Sequence, residues 1–253
     1  GDPESPTPYI EPNLVPGDIY VVPFNNIEAL EQMFEKNSKK IACFIVEPVL
    51  ENIAIVLPDA GYLERVRELC DQYDVVLIFD EVKTGLTAGA HGAAARLGVK
   101  PDLITLAKSI GGGLPLAAFG GKKKYMDFVT NGKMAHFGTF NGNPLAMAGV
   151  RAIDRICSDQ ALADAEALNL QALTRIGEVI DEYQLPAHTV GFGVKGCVTW
   201  STTPVRNYRD YKATDFGVAE AHWLFALNRG IITPPGLDEQ WLISLAHGKT
   251  EID

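Results

Sequence analysis

The chain has 253 residues, of which 47% are hydrophobic, and its formal net charge is −10. A chain of this size can bury a sizeable core, and we expect one large domain and one smaller one. The acidic balance disfavours nonspecific nucleic-acid binding, which requires a basic surface, and no apolar stretch reaches the roughly 18 residues that a membrane-spanning helix needs. The four cysteines lie far apart without CxxC spacing, so we expect buried free thiols and a reducing, cytoplasmic environment.

Strand and helix patterns alternate along the chain after an arm, residues 1–23, that is rich in proline and acids and is predicted to be irregular. The alternation predicts an α/β fold with a mainly parallel sheet and crossover helices. The predicted strands are 41–46, 75–79, 103–107 and 116–119, the predicted helices are 27–36, 61–73, 92–97 and 143–157, and 83–90 is a predicted loop. The basic run 122–124 predicts a solvated helix start.

The last predicted helix of this series, 143–157, is taken as the end of a large domain, residues 1–157. The remainder, residues 158–253, predicts a smaller α+β domain. Its predicted helices are 161–183 and 214–228, with short strands near 189–201 and a last strand at 241–245.

The most informative feature is an acid and a lysine that each end a predicted buried strand. Asp80 follows the apolar run 75–79, and Lys108 follows the run 103–107. Ligands of open α/β sheets bind beyond the carboxyl ends of such strands. An acid there can hold a ring nitrogen protonated while an amine forms a Schiff base with an aldehyde, which predicts pyridoxal 5'-phosphate as the cofactor. Taken singly, Asp80 could be a helix cap and Lys108 a surface lysine.

A series of short motifs in fixed order extends from about residue 40 to the C-terminus. They are Val46-Glu47-Pro48 with Asn52, Phe79-Asp80-Glu81-Val82, Pro101-Asp102-Leu103, Leu106-Ala107-Lys108, Gly111-Gly112-Gly113-Leu114-Pro115, Gly138-Thr139 with Gly142-Asn143-Pro144-Leu145-Ala146-Met147-Ala148, and Ser244-Leu245-Ala246-His247. In this order the chain resembles the class III, fold-type I pyridoxal-phosphate aminotransferases, and most of all their glutamate-1-semialdehyde aminomutase branch. The resemblance implies a fold-type I large domain, a smaller C-terminal domain and a homodimer with a shared active site.

The resemblance also implies a role for each matched residue. Lys108 would form the Schiff base and shuttle a proton between the substrate α-carbon and the cofactor C4′. Asp80 would pair with the ring nitrogen, because a buried carboxylate favours the charged form of that nitrogen. Val82 would pack under the ring face, and Asn52 would hydrogen-bond the phenolic oxygen.

Two further parts of the site follow from the same resemblance. Gly138 and Thr139 would bind the cofactor phosphate of the second subunit through a hydroxyl and backbone N–H groups. Glu239 lies where the aminomutase has an active-site glutamate, although its surroundings differ from the aminomutase pattern. Glu47, next to Pro48, is either a solvated strand end or a residue that supports the site.

The chain also departs from the family pattern. Fold-type I enzymes normally carry an upstream Ser-Gly-Thr phosphate turn and a ring-stacking aromatic residue, and neither occurs before residue 27. The family usually adds a final helix beyond the position of His247. We therefore expect a partial chain that lacks the N-terminal portion of its large domain and the end of its small domain. By itself, such a chain is expected to bind the cofactor weakly or not at all. The loop 84–88 lacks the Phe-Arg or Phe-Gly-Arg of relatives, which leaves the substrate preference open.

Several functions are compatible with these patterns. The leading interpretation is an aminotransferase that moves an amino group between an amine or amino acid and an oxo acid or aldehyde in a ping-pong cycle. Glutamate-1-semialdehyde 2,1-aminomutase is the alternative within the class. A catalytically silent protein that keeps the fold for assembly is an alternative from another class, and the retained Lys108 and Asp80 argue against it. A nucleotide-binding role for 111–113 is disfavoured because GxxxxGK[ST] and a full GxGxxG are both missing. The histidines lack the spacing of metal ligands, so no metal is expected.

Overall fold

The structure is a computed structural model that describes residues 19–234 and 241–253. Its first half contains strands β1 (Cys43–Val46), β2 (Val76–Asp80), β3 (Leu103–Ala107) and β4 (Ala117–Gly121) and helices α1 (Ile27–Asn37), α2 (Tyr62–Gln72), α3 (Thr84–Thr87), α4 (Gly92–Leu97), α5 (Lys123–Thr130) and α6 (Pro144–Ile156). Its second half contains α7 (Asp159–Glu182), β5 (His188–Phe192), β6 (Lys195–Thr199), α8 (Tyr208–Lys212), α9 (Phe216–Leu227), β7 (Trp241–Leu242) and α10 (Lys249–Ile252). Short 3₁₀ turns follow α1 and β3, at Ser38–Lys40 and Lys108–Gly111.

The first sheet has the strand order β1-β2-β3-β4, and β1, β2 and β3 run parallel. This is the mainly parallel sheet that the alternating pattern predicts. The predicted run 116–119 forms β4, which is antiparallel to β3 and so departs from the parallel order. The reason is the connection, because the short segment 108–116 cannot hold the crossover of a dozen or more residues that a parallel neighbour requires.

The main hydrophobic core lies between α1, α2 and one face of this sheet. The apolar side chains of α2 recur at helical spacing, and those of β2 alternate, so that both elements present one apolar face to the core. The buried residues of this core include Leu63, Val66, Leu69 and Cys70 from α2 and Leu77 and Phe79 from β2. The strands were predicted to be buried on both faces, but the other face of the sheet is partly open to solvent. All five residues of β3 are half-buried, and Ala146 is the buried residue of α6.

The second sheet is antiparallel, with the order β5-β6-β7. Every residue of β6 is buried. Ala165 of α7 packs against Val194, which precedes β6, and Ile243, which follows β7. The buried Asn169 of α7 donates hydrogen bonds from Nδ2 to the main-chain oxygens of Gly193 (2.9 Å) and Lys195 (2.8 Å). The observed β7 is shorter than the predicted strand 241–245, and the short helix α3 lies inside the predicted loop 83–90.

The second sheet packs on the segments that follow strands β1 and β2 of the first sheet. An apolar cluster between them combines residues that follow β1 and β2 with residues of the second sheet, namely Val49, Ala54, Ile55, Ala88, Ala93, Phe192 and Cys197. Arg96 of α4 forms a bidentate ion pair with Glu166 of α7, at 2.9 and 2.5 Å. The main-chain N–H of Val194 donates to the oxygen of Thr87 at 3.0 Å. The second half of the chain therefore contacts the loops that follow the first sheet's strands.

The thiols of Cys70 and Cys197 are buried, whereas Cys157 is half-buried and Cys43 is exposed. The exposure of Cys43 corrects the expectation of buried thiols. On β1, residues 43 and 45 point away from the core, because side chains alternate between the two faces of a strand. Within the described ranges 19–234 and 241–253, no helix is both long and apolar enough to span a bilayer.

Asp102, the residue before β3, links this strand to α2, to β2 and to the start of α5. Its carboxylate, which is only 4% exposed, accepts hydrogen bonds from Arg67 (2.9 Å) and from the Leu77 N–H (2.8 Å) and pairs with Lys122 at 2.6 Å. Burial acts to raise the pKa of Asp102, but the hydrogen bonds from Lys122, Leu77 and Arg67 outweigh it and hold the pKa below its usual value. Lys122 binds this buried acid from the helix start, where all three lysines of 122–124 are exposed, as predicted.

Replacing Asp102 by asparagine is expected to lower the free energy of unfolding by about 2 kcal/mol near neutral pH, because two cations lose their buried partner. Since the pKa of Asp102 is lower in the folded than in the unfolded chain, this contribution is present above about pH 4 and is lost as the pH falls through the folded value. Urea unfolding of both proteins across this pH range measures the effect.

Asp71→Asn is the matched control, because Asp71 binds the same Arg67 at 2.7 Å but is 65% exposed. An exposed pair contributes little, so this variant should change the free energy of unfolding by no more than about 0.5 kcal/mol. Equal losses for the two variants, or a loss for Asp102→Asn that persists unchanged at low pH, would contradict the role assigned to Asp102.

Candidate active site

The carboxyl ends of β2 and β3 bring Asp80 and Lys108 to one edge of the first sheet. Asp80 is the last residue of β2, and the strand register pairs it with Thr105 of β3. Lys108 follows immediately after β3. Because the two strands are parallel, both residues lie where ligands of α/β sheets bind.

The carboxylate of Asp80 is held through one of its two oxygens. Its Oδ1 accepts hydrogen bonds from the Val82 N–H at 3.1 Å and from the Thr105 hydroxyl at 3.2 Å. Among the described residues, none donates a hydrogen bond to Oδ2. Asp80 is half-buried, so this oxygen remains available to a ligand. Sequence reasoning missed Thr105, although a lone polar residue in the apolar run 103–107 is a usable signal.

Lys108 is exposed, and its backbone is in the left-handed region, with φ +53°. This conformation costs a residue with a side chain roughly 1–2 kcal/mol, and such strain is concentrated at functional sites. The 3₁₀ turn Lys108–Gly111 is followed by its capping residue Gly112, which has φ +60°. Helix α6 supports this turn closely, because a Cβ at Gly149 would lie 2.7 Å from the main-chain oxygen of Gly111.

Glu47 links Asn52 to the same edge. The side chain of Asn52 donates to Glu47 Oε1 at 3.1 Å, and the Glu51 N–H donates to Oε2 at 3.3 Å. The register pairs Val46 with Phe79, so Glu47 follows β1 beside Asp80. Burial raises the pKa of Glu47, the two hydrogen bonds act in the opposite direction, and the Asp80 carboxylate adds to the rise. Glu47 was expected to be either a solvated strand end or a residue that supports the site, and these contacts favour the second interpretation. Asn52 itself is exposed.

Glu81, the neighbour of Asp80, is 2% exposed and caps the start of α4. Its carboxylate accepts hydrogen bonds from the N–H groups of Ala93 (2.7 Å) and Ala94 (3.0 Å) and from the hydroxyl of Thr84 (3.2 Å). A carboxylate at a helix N-terminus satisfies N–H groups that have no partner within the helix. Glu81 therefore holds the segment that follows β2, and its side chain belongs to the support of the site.

Gly138 and Thr139 lie in an exposed segment that leads into α6. The Asn141 N–H donates to the Gly138 oxygen at 3.0 Å, and Asn143 caps α6 by accepting from the Ala146 N–H at 2.9 Å. In the part of the chain that the structure describes, no hydrogen bond joins Thr139 to the residues at the carboxyl edge of the sheet. Glu239 lies outside the described residues.

Residues 11–207 match the family described as Aminotransferase class-III. The chain belongs to this family. It is 41% identical over 237 residues to a glutamate-1-semialdehyde 2,1-aminomutase of Methanocorpusculum labreanum, covering 92% of the chain and 56% of that relative. It is 39% identical over 238 residues to the protein of the same name from Thermomicrobium roseum, with 93% and 55% covered.

Solved structures give the same picture. A glutamate-1-semialdehyde aminomutase from Pseudomonas aeruginosa PAO1 has a TM-score of 0.86 at 26% identity, over 98% of this chain and 57% of that one. A β-phenylalanine aminotransferase from Variovorax paradoxus has a TM-score of 0.85 at 28% identity, over 95% and 56%. The predicted family and fold class are confirmed, and the chain spans little more than half the length of these relatives.

Proposed function

We propose that the chain is the part of a pyridoxal-phosphate-dependent aminotransferase that carries the reactive lysine and the acid for the ring nitrogen. The observation that carries this proposal is the pairing of an exposed amine, Lys108, with an available carboxylate oxygen, Asp80 Oδ2, at the ends of adjacent parallel strands. One structural relative, the aminomutase from Pseudomonas aeruginosa PAO1, is described in complex with PMP at a TM-score of 0.82 and 26% identity.

The donor set at this edge fits pyridoxal phosphate. The carboxylate of Asp80 can accept the proton of a ring N–H, and the hydrogen bonds from Thr105 and Val82 fix its orientation for that contact. The amine of Lys108, free to extend into solvent, can react with an aldehyde and serve as the base that carries a proton to and from the substrate α-carbon. When bound, the cofactor supplies a protonated aromatic ring that withdraws electrons from that carbon.

The supporting residues keep these groups in place. Val82 contributes its main-chain N–H to Asp80, and its side chain would pack on the ring. Asn52, held by Glu47, would donate to the phenolic oxygen. The chain passes from the first sheet to the second between α6 and α7, and we take this junction, residues 157–158, as the boundary between a large cofactor-binding domain and a small C-terminal one.

The active protein is proposed to be a homodimer in which Thr139 reaches the phosphate of the partner's cofactor. The exposed segment around Thr139 supports this, because Phe137 is 92%, Phe140 80% and Leu145 67% exposed. Large apolar side chains clustered at a surface are typical of subunit interfaces. The substrates are proposed to be a small-molecule amino donor and an oxo acceptor.

Glutamate-1-semialdehyde 2,1-aminomutase is the second candidate function. It is favoured by the names of the curated relatives that share 39–41% identity with the chain. The solved structures do not discriminate the two functions, because an aminomutase and a β-phenylalanine aminotransferase have TM-scores of 0.86 and 0.85. A screen of donors and acceptors with the full natural chain discriminates the two, because the aminomutase alone acts on glutamate-1-semialdehyde.

Borohydride reduction of the cofactor-loaded full natural chain, followed by peptide mapping, is expected to place the pyridoxyl group on Lys108. Lys108→Ala should abolish both the label and turnover, while Lys122→Ala is the control because Lys122 is bound to Asp102 and should leave the label unchanged. A label on any other lysine would contradict the assignment, and no label at all would favour the catalytically silent alternative.

Asp80→Asn is expected to lower the rate of amino transfer roughly 10²-fold, the effect of removing one well-placed charged group. Thr105→Val leaves the charge and removes only the hydrogen bond to Oδ1, so its loss should be smaller, about severalfold. Single-turnover kinetics measure both. A rate near that of the parent protein for Asp80→Asn would mean that the ring nitrogen has another partner.

Thr139→Ala should weaken the binding of pyridoxal phosphate about tenfold through the loss of one hydrogen bond to a charged group, and should leave the binding of phosphate-free pyridoxal unchanged. Thr130→Ala is the control, because Thr130 is an exposed threonine on α5 whose hydroxyl donates to the Met126 oxygen of the same helix. Sedimentation of the full natural chain should give a dimer. Equal weakening of both ligands, or a monomer that binds the cofactor fully, would contradict the shared site.

A further inference from the structure

A buried ionic cluster joins the loop after β1 to the second sheet. Glu51 is fully buried and Lys195 of β6 is 3% exposed, and Lys195 Nζ lies 2.6 Å from Glu51 Oε2. Lys83, 8% exposed, donates from Nζ to the main-chain oxygen of Glu51 at 2.7 Å. Lys195 also donates to the main-chain oxygen of Lys83 at 3.3 Å.

Buried charges are a costly means of joining the loop after β1 to the second sheet. Burial costs each ion several kcal/mol, and a buried ion pair is often no more stabilising than an apolar pair of the same volume. Such a pair fixes the orientation of its side chains, because a carboxylate bound to a fixed ammonium cannot rotate or shift without losing that contact. The apolar cluster that the segments after β1 and β2 form with the second sheet already supplies hydrophobic attraction, which has no preferred direction.

The loop that contains Glu51 carries Asn52. Leu50 and Val56 form an antiparallel bridge, with N–H···O distances of 3.1 and 2.8 Å, which closes the loop 50–56. Within it, the Glu51 N–H is bound to Glu47 and the Glu51 oxygen to Lys83. The next residue, Asn52, is exposed and donates to Glu47, which lies beside Asp80.

We infer that Lys195 is a positioning residue: by holding the buried carboxylate of Glu51, it fixes the loop 50–56 so that Asn52 stays at the carboxyl edge of the first sheet. The second half of the chain thereby shapes the candidate site through Glu51. Removing the Lys195 ammonium takes away the 2.6 Å contact that fixes the direction of the Glu51 carboxylate, and the loop that carries Asn52 is then held less firmly. The role of Asn52 toward a cofactor rests on the proposed function, whereas the positioning of the loop does not.

The first test measures amide hydrogen exchange of the full natural chain without cofactor. The double variant Lys195→Met with Glu51→Leu replaces the ion pair by an apolar pair and should keep the urea midpoint near that of the parent. Exchange in residues 50–56 should nevertheless become about tenfold faster or more, because the directional contact is lost. Exchange that equals the parent's would overturn the inference.

The control is Arg96→Met with Glu166→Leu, which removes a different ion pair between the two halves of the chain. It should leave exchange in 50–56 unchanged. If it accelerates exchange in this loop as much as the Lys195 variant does, the loop responds to the loss of any contact between the two halves of the chain, and the positioning role is wrong.

The second test uses pyridoxal phosphate as the probe and the absorption band of the bound cofactor as the readout. Asn52→Ala and the Lys195–Glu51 double variant should each weaken binding about tenfold and shift the pH at which the band changes. Combined, they should weaken binding no more than Asn52→Ala alone, because residues that act through one contact are not additive. Fully additive losses would overturn the inference. A parent protein that binds no pyridoxal phosphate would contradict the proposed function, while the exchange test still decides the role of Lys195.

Discussion

The candidate site depends on the parallel register of β1, β2 and β3. The burial of Leu77 and Phe79 in the main core fixes which face of β2 points inward. A slip of one residue would exchange the two faces and turn Asp80 away from its present position. The same ladder sets Glu47 beside Asp80 and Thr105 opposite it. The chemistry proposed for this edge therefore rests on apolar side chains that never contact a ligand.

The sequence was sufficient to predict features that follow from local periodicity. Strand 103–107 and helix 92–97 have the bounds that their apolar patterns predict. The places of Asp80 and Lys108 at strand ends also follow from pattern, because a polar residue that interrupts a buried run has to lie where the run stops. The functional roles of these residues came from motif order rather than from periodicity.

Contacts between distant segments were beyond sequence reasoning. Lys195 and Glu51 are 144 residues apart, and no spacing rule brings a lone lysine in one strand to an acid in a loop. Lys122 lies at the exposed helix start that the basic run predicts, but the run did not predict its partner Asp102, because a basic run reveals its charge and not its partner. The direction of β4 depended on the length of the preceding connection, which the apolar pattern does not report.

Helix α6 contacts both the turn that contains Thr139 and the turn that begins at Lys108, the two parts of the proposed site. Its capping residue, Asn143, follows the turn that contains Thr139, and its Gly149 touches the turn that begins at Lys108. The two points are separated by about 9 Å along one continuous helix, which has no flexible joint between them. In the proposed homodimer, α6 would therefore couple the position of the 138–142 turn, which would meet the partner subunit, to the position of the turn that carries Lys108.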